Sequence, residues 1–540
     1  MKKEGQDSNK AIKFAWLDEG IILGLLVIQI AMIAYFNLRD IRNSLDNDCA
    51  ITIYHFREVI RNGTLNLQNW NHTTSLELDA AFLFAWPLYY IVRDIFTAVG
   101  IANLIYMMLY IIVIGGILKC VHVNRKYILF TICLVLTPYA FGMLDYFNML
   151  FYGVSFYGLK TLVPLLCIWN LLLLEKQSTT RKEKWGKTAV LCVYLFFLFI
   201  TSFSTGIYVM LCGIIPICCC VLIDIWKSGK WNGRYNLGQA GVLLGSLPVF
   251  IAGCILHQKY YGLTSRFNMR LTKIENYAIN FRACVRGIFD LFGATISDDI
   301  EVFSINGIWY CLKMAFVVLL VFVWLYNLRL LFQKHEKGTI KEFLAILPLF
   351  NFLVLLMADS RYGTNTNIEY RYYLIGAVPM LLLFGIQIDE WCKSINEFQK
   401  NTISIVLLIA LAVMMGGNNK YVIEHWDRTS YAVELCDYFN TLDIESVFFV
   451  DDPDTSNVCK GIDGNHKYGT FMSDTQTLEA GFCSYLESAH GSFYGNKNAM
   501  AVFIYTVPED YMPVEIAQQY QKVATVRWFD IYVSDQVWFP

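Results

Sequence analysis

Long apolar runs recur through this chain, and they constrain its fold more than any other feature. A helix needs roughly 17–25 mostly apolar residues to cross a bilayer. Hydrocarbon also demands that backbone polar groups be satisfied internally, which favours helices. Runs of this kind lie at about 19–37, 99–118, 127–143, 155–174, 188–204, 206–225, 237–256, 308–330, 343–358, 370–387 and 402–416. The chain is therefore expected to be a polytopic α-helical membrane protein with about eleven spans. Composition agrees, with 56% apolar and 16% charged residues, against about 45–50% and 25% in soluble domains. A net charge of -2 gives no sign of a nucleic-acid partner.

Charge sets the expected orientation. Basic residues concentrate in cytoplasmic loops. With the N-terminus inside, the groups Lys119/Arg125/Lys126, Lys176/Arg181/Lys182/Lys184/Lys187, Lys227/Lys230/Arg234, Lys334/Lys337/Lys341 and Lys393/Lys400 all fall on one side. The N-terminal lysines precede an apolar run without a small-residue cleavage site, so the first run is expected to stay as a span. The expected location is the cell (plasma) membrane, with membrane lipids as partners.

Three longer segments then lie outside: 38–98, 257–306, and the region from 418. Residues 1–417 form the expected membrane domain. Residues 418–540 carry 18 acidic and 7 basic side chains, a solvated composition. Strand-like runs at Ser446–Val450, Ala499–Thr506 and Val526–Val533, with a helical stretch at Ser430–Leu442, predict a small extracytoplasmic α/β domain. The 16 cysteines are scattered, as in Cys218-Cys219-Cys220, without zinc-site spacing.

The loop at 38–98 carries the most chemistry. Asn43-Ser44-Leu45-Asp46-Asn47-Asp48 places two carboxylates at the end of the first span. Ala50–Arg61, with Ile53, Phe56 and Ile60, predicts an amphipathic helix lying on the bilayer, ended by Asn62-Gly63. A polar stretch with Trp70 and His72 follows, then an apolar stretch from Ala80 to Val92. The last is too short to span comfortably and reads as an interfacial or re-entrant helix anchored by Trp86, Tyr89 and Tyr90.

This order of parts resembles the first extracytoplasmic loop of the GT-C glycosyltransferases that use polyprenyl-phosphate-linked sugars, the protein mannosyltransferase and aminoarabinose transferase group. The matching positions are Asp48, Tyr54, Gly63 and Ala85-Trp86-Pro87-Leu88-Tyr89-Tyr90, then a basic turn from Lys119 to Lys126. Further on, Arg371-Tyr372 precedes a span containing Pro379, another GT-C trait. Many such families carry Asp-Glu at the catalytic position, whereas this chain has Asp48-Cys49 with Asp46 two residues earlier. Which aspartate acts is left open.

The resemblance implies glycosyl transfer from a lipid-linked donor to a glycan, lipid or protein acceptor of the cell envelope. Asp48 or Asp46 would serve as base. Arg371, with Arg361, Arg266 and Arg270, would hold the donor phosphate, because a guanidinium fork binds two oxygens and stays charged. Asp145, Trp70, Trp86, Tyr54 and His72 are the candidates for acceptor or sugar contacts. No cofactor motif is present, and a divalent metal ion at the acidic positions is left open. The absence of a Gly-rich nucleotide motif suits a lipid-linked donor. A flippase or assembly protein for lipid-linked saccharides is the alternative, though charge within the spans looks scarce and no internal repeat is visible.

Overall fold

A computed structural model of the chain describes residues 2–540 except 73–74, 143–144, 177–179, 229–232, 262–269, 296–299, 334–339, 360, 363–364, 367–369, 480, 482, 506–513 and 537–540. Ten of its described helices are long and apolar enough to cross a membrane, and the protein is a multi-pass membrane protein. Side-chain caps start several of these helices. Asp94 accepts from the Thr97 amide ahead of Ile95–Cys120, and Thr180 with Glu183 forms a capping box ahead of Arg181–Thr205. Such caps satisfy amides that the first helical turn leaves without partners.

The expected span at 127–143 is the exception. Its helix, Arg125–Leu136, has only 12 residues, or roughly 18 Å at 1.5 Å per residue. The segment nevertheless runs between the two faces of the bundle. At one end, Lys126 pairs with Asp18 at 2.7 Å and Arg125 with Glu19 at 3.1 Å, both at the start of the first span Asp18–Leu38. At the other end, Asn148 donates to Asp46, beyond the end of that same span, at 3.1 Å. The eleventh pass is thus a short helix continued by irregular chain. Irregular backbone is tolerated at membrane depth where protein covers it, and Thr137, Tyr139 and Phe141 are buried. The carbonyl freed at Leu136 is taken by Gln29 Nε2 at 3.1 Å, and Gln29 is held in turn by Asn419 at 2.8 Å. Two polar residues inside the bundle therefore do the work of the missing helical turn.

Helix Asn47–Asn62 starts at Asp46 and stops at Gly63, whose φ of 64° is the left-handed cap conformation that glycine adopts without strain. It does not lie on the bilayer as expected. Cys49, Ala50, Ile51, Ile53, Phe56 and Val59 are all buried, on more than one face of the helix. The helix is enclosed between the membrane bundle and the C-terminal region. Phe82–Val92 follows as a short helix with Tyr90 and Ile91 exposed.

The last span, Glu397–Glu424, continues past the expected boundary at 417. Beyond it stands a six-stranded mixed sheet, in spatial order Gln521–Val526, Phe529–Ser534, Asn498–Phe503, Ser446–Val450, Lys467–Met472, Thr477–Glu479. Ser446–Val450 is the central parallel strand and is buried throughout. Helix Pro453–Ile462 crosses over from it to Lys467–Met472 and packs on Asn47–Asn62. The contact is tight because Gly461 has no side chain: a Cβ there would lie 2.5 Å from the Ala50 carbonyl oxygen. Arg57 closes it by donating to the carbonyls of Lys460, Gly461, Ile462 and Asp463 at 3.0, 2.8, 3.1 and 2.6 Å. Trp70–Asn71 also pairs with Ser484–Tyr485 as a short antiparallel ladder.

Candidate active site

Asp46 and Asp48 sit in one helical turn yet have different surroundings. Asp46 is the N-cap: one carboxylate oxygen accepts from the Cys49 amide at 2.8 Å, the other from Asn148 at 3.1 Å, with Arg428 at 3.7 Å. Its side chain is 3% exposed. Asp48 points elsewhere and meets Arg371 Nη1 at 2.7 Å, with the two side chains 29% and 21% exposed. Burial raises the Asp48 carboxyl above its ordinary range; Arg371 opposes that rise and Asp46 adds to it. The cap occupies one aspartate and leaves the other reachable.

Arg371 is placed by the 3-10 turn Tyr370–Tyr373 at the head of helix Leu374–Ser394. Gly287 lets the neighbouring helix Tyr277–Leu291 approach the Tyr373 ring, where a Cβ would come within 2.8 Å. Polar groups continue around Asp48. Thr52 donates to the Asp48 carbonyl at 2.9 Å and stands beside Glu77. Glu77 is buried, and burial pushes its carboxyl up to about 8, so it holds its proton at neutral pH. Its Oε2 has no hydrogen-bond partner. Asp79 forms a buried ion pair with Lys160 at 3.2 Å and accepts from Ser204 at 2.6 Å. Lys160 lies over the Tyr157 ring, Tyr157 meets Tyr208 edge-on, and the Tyr208 hydroxyl donates to the Tyr372 carbonyl at 3.4 Å. The circuit returns to the Arg371 turn and rings one end of the bundle.

The other expected positions distribute as follows. Trp70 is 7% exposed, stacked on His55 at 5.1 Å and edge-on to Tyr485 at 4.9 Å. Its ring fills the joint between the first loop and the C-terminal region, so no open face is offered to a sugar. Tyr54 is half-buried beside Trp70, with Lys460 5.6 Å from its ring centre. His72 stands edge-on to His55 at 5.6 Å; burial and His257 lower it to about 4, and it is neutral at physiological pH. Trp86 is half-buried on helix Phe82–Val92 and donates to Tyr90 at 3.5 Å. Asp145 precedes helix Tyr146–Leu150 and lies on the Arg428 side. Arg270 and Arg361 lie in short strands paired with Ala358–Asp359 and Asn365–Thr366, their side chains outside the described residues, as is all of Arg266.

Glu77, Asp79 and Lys160 escaped the sequence reading. Lys160 carried a signal: a lysine in the first turn of span Gly158–Glu175 is costly unless paired. Lys313, buried within Ile305–Leu328, carried the same signal. Charge inside the spans is thus less scarce than expected. Among the described residues no group of three or more His, Cys, Asp or Glu side chains is arranged to hold a metal ion.

The spans, the broken pass, the capped carboxylate helix and the sheet domain together define a polytopic α-helical membrane protein that carries a small mixed α/β region after its last span. Its fold is shared with ArnT from Cupriavidus metallidurans. The crystal structure of that protein bound to undecaprenyl phosphate superposes with a TM-score of 0.59 at 9% identity, covering 95% of this chain and 98% of that one. The apo structure gives 0.55 at 10% identity over the same shares. An Archaeoglobus fulgidus oligosaccharyltransferase tethered with an acceptor peptide also aligns, with a TM-score of 0.43 at 12% identity over 88% of this chain and 65% of that one. No family model and no curated protein matches the sequence.

Proposed function

We propose that this protein is a glycosyltransferase that moves a sugar from a polyprenyl-phosphate-linked donor to a hydroxyl of a cell-envelope acceptor, on the extracytoplasmic side. The observation that carries this reading is the 2.7 Å pairing of Asp48 with Arg371, which puts a base beside a phosphate-binding cation. ArnT, whose fold is shared, binds undecaprenyl phosphate.

In this reading Asp48 takes the proton of the acceptor hydroxyl as its oxygen attacks the anomeric carbon. The bond from that carbon to the phosphate oxygen breaks, the electron pair leaves with the lipid phosphate, and Arg371 stabilises the charge that develops there. One in-line displacement inverts the anomeric centre. Burial of Asp48 makes it a stronger base than a solvated carboxylate. Glu77, protonated at neutral pH, offers a hydrogen-bond donor to the sugar.

The test is release of polyprenyl phosphate from a polyprenyl-phospho-hexose by the purified protein in vesicles, with envelope extract as acceptor source. Wild type should release it and Asp48→Asn should not. Lipid translocation without release would contradict the reading in favour of a flippase.

A further inference from the structure

The C-terminal region holds two buried cysteines that the transfer reaction does not use. Cys436 lies on helix Ser430–Phe439 and Cys459 on helix Pro453–Ile462, and the helices pack face to face. Each sulfur points at the other helix: Cys436 Sγ is 3.8 Å from the Cys459 carbonyl oxygen, and Cys459 Sγ is 3.9 Å from that of Ala432, one turn before Cys436. A polar chain leads away from them. The Tyr468 hydroxyl is 3.7 Å from Cys436 Sγ and 2.7 Å from Asp463 Oδ2, which is 2.6 Å from His466 Nδ1.

Cysteines placed only to fill a core need no facing thiol and no such chain. We propose that Cys436 and Cys459 are a redox dithiol that closes to a disulfide joining these two helices. The step is thiol–disulfide exchange with a small-molecule or protein disulfide. One cysteine thiolate attacks the oxidant's sulfur, releasing its first thiolate and forming a mixed disulfide. The second cysteine thiolate then displaces the remaining thiolate. Two electrons pass from the protein to the oxidant, and the two thiol protons end on the released thiols, with Tyr468, Asp463 and His466 as the route out. Both cysteines are 2% exposed or less, so exchange proceeds through local opening of the ten-residue helix Ser430–Phe439. The joined helices include the one that Arg57 clamps to the Asp48 helix.

The full-length protein is incubated with glutathione disulfide, denatured, alkylated and mapped by mass spectrometry. The expected product is a peptide pair linked through 436 and 459, formed slowly and faster in low urea. It should raise the melting temperature by several degrees, and dithiothreitol should reverse that. Cys436→Ser should lose both linkage and shift, while Cys192→Ser should keep both. Should the serine variant fold poorly, the wild-type peptide map decides by itself. Recovery of both cysteines as alkylated thiols, or linkage to Cys483 instead, would overturn the proposal.

Discussion

Substituting Gly461 by alanine tests whether the C-terminal region positions the helix that carries Asp48. The added Cβ would lie 2.5 Å from the Ala50 carbonyl oxygen, 2.6 Å from its Cα and 2.7 Å from its Cβ. Ordinary carbon contacts begin at roughly 3.5 Å, so the helices must separate by close to 1 Å at this point. Two of those atoms are backbone, which leaves no flexible side chain to yield. Overpacking of this kind costs about 1–3 kcal/mol. Ala50 is two residues from Asp48, so the strain also reaches the carboxylate that faces Arg371 at 2.7 Å. A misplacement of about 1 Å in a catalytic group lowers rate by up to roughly 10²-fold. The assays are thermal unfolding in detergent and release of polyprenyl phosphate under saturating donor. A lower melting temperature with kcat reduced more than KM is raised is the expected pattern. Wild-type values for both would refute the close packing of these helices and the coupling inferred from it.

Other perturbations separate packing from chemistry. Arg57→Ala removes a guanidinium that bonds four carbonyls, and should destabilise by about 3 kcal/mol, since hydrogen bonds from charged donors contribute roughly 1.5–3 kcal/mol each but do not add; Arg57→Lys, lacking the fork, should recover only part, as read by denaturant midpoints. Glu77 ordinarily titrates near 4.5 but in the folded chain near about 8, so the folded state binds the proton between those values and the unfolded state does not. Stability should therefore fall as pH rises through that window, and Glu77→Gln should flatten the decline in melting-temperature scans. Lys467→Cys, at an exposed position of the sheet domain, should react with a membrane-impermeant maleimide in intact cells. Protection there would reverse the proposed orientation.

Much of this was readable in the sequence, for reasons that differ by residue. The spans follow from length and hydropathy, and Asp48 and Arg371 could each be singled out, because charge beside an apolar run is physically marked. Their pairing across 323 positions is a property of the folded bundle that no local pattern encodes. Asp46 and Asp48 looked equivalent because capping depends on backbone geometry at the helix start, and only the cap separates the engaged carboxylate from the available one. The apolar character of 127–143 persists past Leu136, so composition alone predicts a continuous span there. What breaks it is a turn whose carbonyl is satisfied by the distant Gln29, itself held by Asn419. Trp70 suggested a sugar platform by residue type alone, but its burial comes from a strand pairing with Ser484–Tyr485, more than 400 residues away. Glu77 and Asp79 lie in a short polar connector, and their importance shows only once Thr52, Lys160 and Ser204 close around them.

The most direct test of the account compares Asp48→Asn with Asp46→Asn in a quantitative transfer assay on folded, monodisperse protein. Asp48→Asn should keep its melting temperature while kcat falls roughly 10²–10⁴-fold, the usual contribution of a general base. Asp46→Asn should lose stability first, with activity declining in proportion to the folded fraction. Near-normal transfer by a stable Asp48→Asn protein would contradict the assignment of Asp48 as the base.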